Sequence, residues 1–536
     1  MVSLQKCLAF VLIGSFTTVF GNSSPLQRPD SAAAQQPDSA VDSLENLRGR
    51  IAAHVAQPRF ARAAWGAKVV SLATGKVVFE HDAGRYFNPA SNAKLYTAAL
   101  ALDALGDDYR IKTSLYAASR PDRAGRLAGD LMVYGRGDPS IAASFNGGDY
   151  YAALEPFAQA LAAAGVRRID GDLIGDESYF RGPPLGAGWG WTDLQWYYGA
   201  ETSALSINDN SLDLFVKPGT KTGIPCRIST GPATPLVTLI NRTGTAKLGS
   251  KRSIGIYRPL GENVIYISGR MPIDDPGYTV HVAVHKPASL FVEMLKQVLE
   301  QHGIAIKGKA YAVDWLYRDV TPVDSSRLVE LGSVYSRPVR DIVRLMLKVS
   351  QNLYAELLLL QVGASRAAGA LNAGSGRGQV ADQNGGEARE LTTEQEGVEQ
   401  MNLFLSKAIK DERGALLEEG SGLSRRDIVT PASMVALLAF MSRHRLADVF
   451  RESLPVAGGD GTLQNRMKGT AGAGNIRAKT GTLQYVNALS GYVKTAAGEQ
   501  LAFSIMLNNY SSDGSTSARD DIDEITLMLA SFKGHT

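Results

Sequence analysis

The chain has 536 residues, 44% hydrophobic and 20% charged, with 56 Lys and Arg against 53 Asp and Glu. At about 150 residues per domain this length suits several domains, and the apolar content is enough to bury cores, which excludes a disordered protein. Two cysteines exclude a disulfide scaffold or a Cys-rich metal site, and a net charge of +3 without a dense basic block gives no basis for nucleic-acid binding.

The chain opens with Met1-Val-Ser-Leu-Gln-Lys6, the apolar run Cys7 to Phe20 and small residues around Gly21. That is the layout of a secretory signal over 1–21. The run is too short, and too interrupted by Ser15, Thr17 and Thr18, to span a membrane. Residues 22–44 are rich in Pro, Ser, Ala and Gln and repeat Pro-Asp-Ser-Ala at 29–32 and 37–40, so they read as a flexible linker. The mature protein is expected to be exported, periplasmic or otherwise outside the cytoplasm, with Cys226 as a lone buried thiol.

The folded part reads as a split α/β (α+β) domain. Two β-rich runs within 65–81 flank Ala73-Thr74-Gly75, a hairpin signal. A helix is expected from Ser91 to Gly106, with Ala93, Leu95, Ala98, Ala99, Leu102 and Leu105 on its apolar face. Residues 113–325 have the texture of short strands between turns, for example 130–134, 212–216, 264–267 and 279–284, broken by one helix at 288–301. They predict an inserted β-rich region of one or two small domains. His281 and His285 fall in such a run and read as a strand pair rather than a zinc site; no metal or cofactor is expected. Helices are expected at 339–347 and 352–360, and the Gly/Ala-rich stretch 363–390 reads as a disordered surface loop. A hairpin (476–479 and 487–493), a strand (501–507) and a helix (520–532) close the chain. Strands at both ends assign 45–112 and 326–536 to one domain interrupted by 113–325.

Three short motifs carry candidate chemistry. In Ser91-Asn-Ala-Lys94 the spacing of three puts an amine beside a hydroxyl on one helix face. A lysine whose proton affinity is lowered by burial or a nearby cation can activate such a hydroxyl, but Ser-x-x-Lys alone also recurs by chance. Ser350-Gln-Asn352 stands before a helical run and reads either as a cleft pair or as a helix cap. Lys479-Thr-Gly-Thr482 ends a strand; its glycine permits close approach of a backbone or ligand, and its cation and hydroxyls suit a carboxylate. An ordinary strand end is the alternative.

In this order and setting the three motifs resemble those of the active-site serine penicillin-recognising enzymes. Ser91 and Ser350 stand 259 residues apart, more than a compact β-lactamase needs, and the excess matches the β-rich segment. This narrows the resemblance to the class C low-molecular-mass penicillin-binding proteins, the D-alanyl-D-alanine carboxypeptidase/endopeptidases of peptidase family S13, over 45–536. Tyr134-Gly-Arg-Gly-Asp-Pro-Ser140, the block Trp189 to Asn208, Gly420-Ser-Gly-Leu-Ser-Arg425 and Gly458-Gly-Asp-Gly-Thr462 resemble further family blocks. The chain departs from them at Glu419 and Gln351, where Asp is expected, and in the long 363–390 loop. None of these falls on a residue assigned to catalysis, although Gln351 makes the cleft less acidic.

The resemblance implies a serine β-lactamase/transpeptidase-like fold and a nucleophilic Ser91 with Lys94 as base. It further implies that Ser350 relays a proton and that Asn352 holds Lys94 and the substrate amide. The N–H groups of Ser91 and Thr482 would form an oxyanion hole, and Lys479, Thr480, Gly481 and Thr482 would line the site of the terminal carboxylate. The implied partners are peptidoglycan stem peptides as substrates and β-lactams as covalent inhibitors. In the family an aspartate of the insertion and the Arg of Ser-Gly-Leu-Ser-Arg bind the side chain of the diamino acid; Arg425 matches the second and Asp176 is the candidate for the first. A β-lactamase, or a non-catalytic peptidoglycan-binding protein on the same fold, are the alternatives.

Overall fold

The computed structural model describes residues 43–372, 379–380, 389–410, 412, 414–512, 514 and 516–536. The signal expected over 1–21 and nearly all of the linker expected over 22–44 lie outside them. Leu44 already opens a helix, Leu44–Val55, whose Ser43 cap accepts from the Asn46 N–H at 3.1 Å.

The two ends of the described chain build one sheet. Five antiparallel strands run in the order Val77–His81, Ala64–Ser71, Gln500–Asn508, Val486–Lys494, Arg477–Leu483. Because successive strand residues face opposite sides, the sheet buries two layers. Val69, Phe503, Ile505 and Val493 pack with the helices Leu44–Val55 and Ala518–Ala530. Val70, Ala502, Met506 and Tyr492 pack with the helices Lys94–Leu105, Val339–Val349, Asn352–Asn372 and Pro431–Met441. Each large apolar side chain buried this way contributes about 1.5–3 kcal/mol.

Residues 363–372, expected in a disordered loop, instead continue the helix that starts at Asn352. Alanine favours helix, and Gly363 has a packing role. A Cβ there would fall within 3.0 Å of the Thr393 carbonyl oxygen and the Gly397 nitrogen of the helix Thr393–Ala408. Residues 373–378 and 381–388 of that expected loop lie outside the described residues, and Gln379–Val380 pairs with Arg389–Glu390.

Between the helices Lys94–Leu105 and Val339–Val349 lies a second five-stranded sheet. Its order is Ala310–Val313, Leu173–Asp176, Leu131–Tyr134, Lys112–Ala117, Val329–Tyr335. The helices Glu155–Ala163 and Pro287–Gln301 supply its core partners. The first of these helices is absent from the sequence reading, and Val329–Tyr335, beyond the expected boundary at 325, pairs with Lys112–Ala117. Two three-stranded sheets meet through Leu214, Val216, Cys226, Ile265 and Ile267, which buries the free Cys226. His281 and His285 each pair with a separate carboxylate, Asp213 at 2.6 Å and Glu201 at 2.7 Å. Among the described residues no helix is long and apolar enough to cross a membrane.

Candidate active site

Ser91 sits in a 3₁₀ turn, Ala90–Ala93, and not in the first turn of the α-helix, which begins at Lys94. The spacing of three still brings the two side chains together, since residues i and i+3 are neighbours in either geometry. Asn92 anchors the turn to the main sheet by donating to Ser490 Oγ at 2.8 Å. Lys94 is fully buried. Its Nζ donates to Ser91 Oγ at 3.0 Å, to Asn352 Oδ1 at 2.6 Å and to the Ser421 carbonyl at 2.6 Å. Burial pushes the ammonium down to about 8, against the pull of the acids behind it, Glu419 first.

Ser350 follows the helix Val339–Val349 in a left-handed conformation, φ 64°, and the next helix starts at Asn352. This reversal turns Ser350 and Asn352 towards the two lysines. Ser350 Oγ accepts from Lys479 Nζ at 2.8 Å, while Asn352, besides accepting from Lys94, donates to the Tyr198 carbonyl at 2.7 Å. Gln351 is buried and bonds Asp209 of the inserted region.

The strand Arg477–Leu483 forms the facing wall. Lys479 is buried; its Nζ also donates to the Thr480 carbonyl at 2.8 Å, and burial, with the charge of Lys94 second, holds its proton affinity well below the ordinary value. Gly481 is there for backbone approach, because a Cβ would fall within 3.0 Å of the Pro89 carbonyl oxygen. Thr480 donates to Thr462 Oγ1 at 2.9 Å, and Thr482 is exposed at the strand end. The Gly458-Gly-Asp-Gly-Thr462 block clamps this wall to the Ser350 element: Asp460 accepts from Lys348 Nζ at 2.6 Å.

The structure therefore brings together two hydrogen-bonded sets, Ser91 and Asn352 on Lys94 and Ser350 on Lys479, the two amines close enough for the charge of Lys94 to act on Lys479, with Thr480, Gly481 and Thr482 alongside. A hydroxyl beside a buried amine of lowered proton affinity, with a second amine across the groove, is a nucleophile with a base and an anion-binding wall.

Asp176 does not join this group. It lies on the strand Leu173–Asp176 of the inserted sheet, buried, and its carboxylate accepts from Arg318 Nε at 2.7 Å and from the Ser178 N–H at 3.0 Å. Both carboxylate oxygens are thus engaged within the inserted region. Arg425 is exposed and donates to the Gln484 carbonyl at 3.1 Å, next to the strand end. Asp193 feels the Arg425 charge and bonds Tyr198, the residue whose carbonyl holds Asn352.

The model of the D-Ala-D-Ala carboxypeptidase 3 (S13) family matches residues 47–529. The D-alanyl-D-alanine carboxypeptidase of Actinomadura sp. (strain R39) is 34% identical over 514 residues, 93% of this chain and 87% of that protein. The D-alanyl-D-alanine carboxypeptidase DacB of Haemophilus influenzae is 25% identical over 445 residues, 81% of this chain and 83% of that one. The crystal structure of penicillin binding protein 4 from H. influenzae shares the fold, with a TM-score of 0.72 and 23% identity, covering 89% of this chain and 97% of that one.

Proposed function

Because the chain belongs to the D-Ala-D-Ala carboxypeptidase 3 (S13) family, we propose that it cleaves the D-alanyl-D-alanine bond of peptidoglycan stem peptides through an acyl-enzyme on Ser91. Its activity is that of a serine-type D-alanyl-D-alanine carboxypeptidase. The observation that supports this route is the buried Lys94 amine, 3.0 Å from the Ser91 hydroxyl, within reach for proton transfer.

As a free base, Lys94 takes the Ser91 proton while Ser91 Oγ attacks the carbonyl of the penultimate D-alanine. The N–H groups of Ser91 and Thr482 receive the developing oxyanion, on the order of 3 kcal/mol per donor. Asn352 holds Lys94 and the substrate amide. That proton passes from Lys94 through the hydroxyl of Ser350, itself held by Lys479, to the leaving amine, and the C–N bond breaks. Lys479, Thr480 and Thr482 bind the terminal carboxylate, and Gly481 keeps the strand close to the nucleophile turn. Water then hydrolyses the ester. When the leaving amine belongs to a second stem peptide, the same steps open a cross-link, an endopeptidase outcome. A β-lactam mimics the dipeptide and acylates Ser91. Asp193 and Arg425, of opposite charge and within electrostatic reach of each other, suit the ammonium and carboxylate of a diamino-acid side chain. Export through the 1–21 signal places the enzyme where peptidoglycan lies.

The test is mass spectrometry of a pentapeptide and a cross-linked dimer incubated with the protein. Release of D-alanine is expected, and Ser91→Ala is expected to abolish both that release and covalent labelling by fluorescent penicillin. Labelling that survives the substitution would move the nucleophile elsewhere.

A further inference from the structure

Behind Lys94 lie three buried carboxyl groups that the mechanism above does not use: Glu356, on the helix Asn352–Asn372, and Glu419 and Asp427, which bracket Gly420-Ser-Gly-Leu-Ser-Arg425. All three grip the same stretch of backbone. Asp427 Oδ1 accepts from the Glu418 N–H at 2.8 Å, and Glu356 accepts from the Gly420 N–H at 3.2 Å. Glu419 accepts from the Ser421 N–H at 2.9 Å, from the Ser421 hydroxyl, from the Gly422 N–H and from the Trp189 indole at 3.2 Å. The stretch returns to the reaction centre through the Ser421 carbonyl, which accepts a hydrogen bond from Lys94 Nζ at 2.6 Å, and the Thr97 hydroxyl donates to the Gly420 carbonyl at 2.6 Å. Glu419 is thus two bonded contacts from the proposed base.

Three carboxylates out of water cannot all be ionised. Here Glu356 and Asp427 hydrogen-bond Glu419. Burial first, and the Glu419 charge second, raise Glu356 well above the carboxylate range and Asp427 to about 10. Burial opposes the charge of Glu419 as well, but hydrogen bonds from Glu356, Asp427 and Ser421 outweigh it and hold Glu419 down to about 2. Further out stand Glu394, raised to about 7 mainly by burial, and the Glu418–Arg426 ion pair at 2.6 Å. On its other sides Lys94 meets Ser91, Asn352 and the Lys479 amine. It therefore sits between one anion, Glu419, and one cation, Lys479.

We propose that Glu419 is a positioning residue for Lys94: its buried carboxylate fixes the turn whose Ser421 carbonyl aims the amine and sets a negative charge two hydrogen bonds behind it, while Glu356 and Asp427 hydrogen-bond that carboxylate. The proposal rests on the reading that Lys94 takes the Ser91 proton. It makes the three acids unequal. Removing the charge of Glu419 weakens the hold of Lys94 on its proton. Replacing either protonated neighbour by its amide keeps an uncharged donor in place and leaves the charge where it was.

The experiment measures the rate of Ser91 acylation by fluorescent penicillin against pH in the whole protein, with the labelled peptide identified by mass spectrometry. Glu419→Gln is expected to move the midpoint of the rising limb to lower pH by about one unit or more, and Glu419→Asp to restore it. Glu356→Gln, Asp427→Asn and the double variant are expected to keep the wild-type midpoint, whatever they do to the melting temperature. A Glu419→Gln protein that loses rate or melting temperature with an unmoved midpoint overturns the proposal, because the acid is then only structural. A shift in the double variant overturns it too, and does so even if Glu419→Gln fails to fold. Wild-type protein without label on Ser91 would instead overturn the acyl-enzyme reading itself, and the proposal with it.

Discussion

At the scale of single residues, Lys94 is where pH acts. With its ammonium pushed down to about 8 by burial, the amine carries a proton below that pH and cannot accept one from Ser91. The acylation rate is expected to rise about tenfold per unit up to about pH 8 and to level off above it. A rate already flat on the acid side would show that another group takes the proton. Arg425→Ala tests the side-chain site: KM for a stem peptide ending in a charged diamino acid should rise about tenfold, the worth of one charge-assisted hydrogen bond, with kcat little changed. A peptide without that side chain should be indifferent. The pairing of Ser91 with Lys94 is readable from sequence because a spacing of three makes neighbours in a 3₁₀ turn as in an α-helix. Asp176 shows the opposite case. Its surroundings in sequence look like a turn, and the partner that occupies it, Arg318, lies 142 residues away. Asp193 gains its place only when the Trp189–Ala200 segment folds back beside Arg425, and no local pattern records that.

At the scale of elements, the strand Arg477–Leu483 and the turn Ala90–Ala93 are held at a fixed separation by the absence of one side chain. Gly481→Ala puts a methyl against the Pro89 carbonyl. The strain of such overpacking is about 1–3 kcal/mol, and a displacement of about 1 Å in the groove is expected to slow acylation on the order of 100-fold. The check is the labelling rate beside the melting temperature; a normal rate would mean that the groove tolerates a wider gap. Element types were readable where periodicity was strong, as in the closing hairpin and the strand after it. The Ala-rich stretch after Leu360 was harder, because Gly363 looks like a loop signal until a second helix is seen resting on it. The helix Glu155–Ala163 was hidden in the same way, by short strands on either side of it.

At the scale of the whole molecule, the strand Gln500–Asn508 lies between Ala64–Ser71 and Val486–Lys494, so the core depends on residues from both ends of the chain. Phe503 is fully buried there, and Phe503→Ala is expected to cost about 3–5 kcal/mol, read as a lowered denaturation midpoint. An unchanged midpoint would mean that the interleaved strand is not a keystone of the core. The split arrangement was readable because strand texture sits at both ends with helices between; the mixed sheet of the insertion was not, since its pairs join segments far apart in sequence. The interleaving also sets an order of events during synthesis. Ser91 and Lys94 leave the ribosome well before the wall that faces them and the strand that seats that wall. A chain made only as far as the insertion has a nucleophile without a groove, and the catalyst is armed only when the later strands join the sheet.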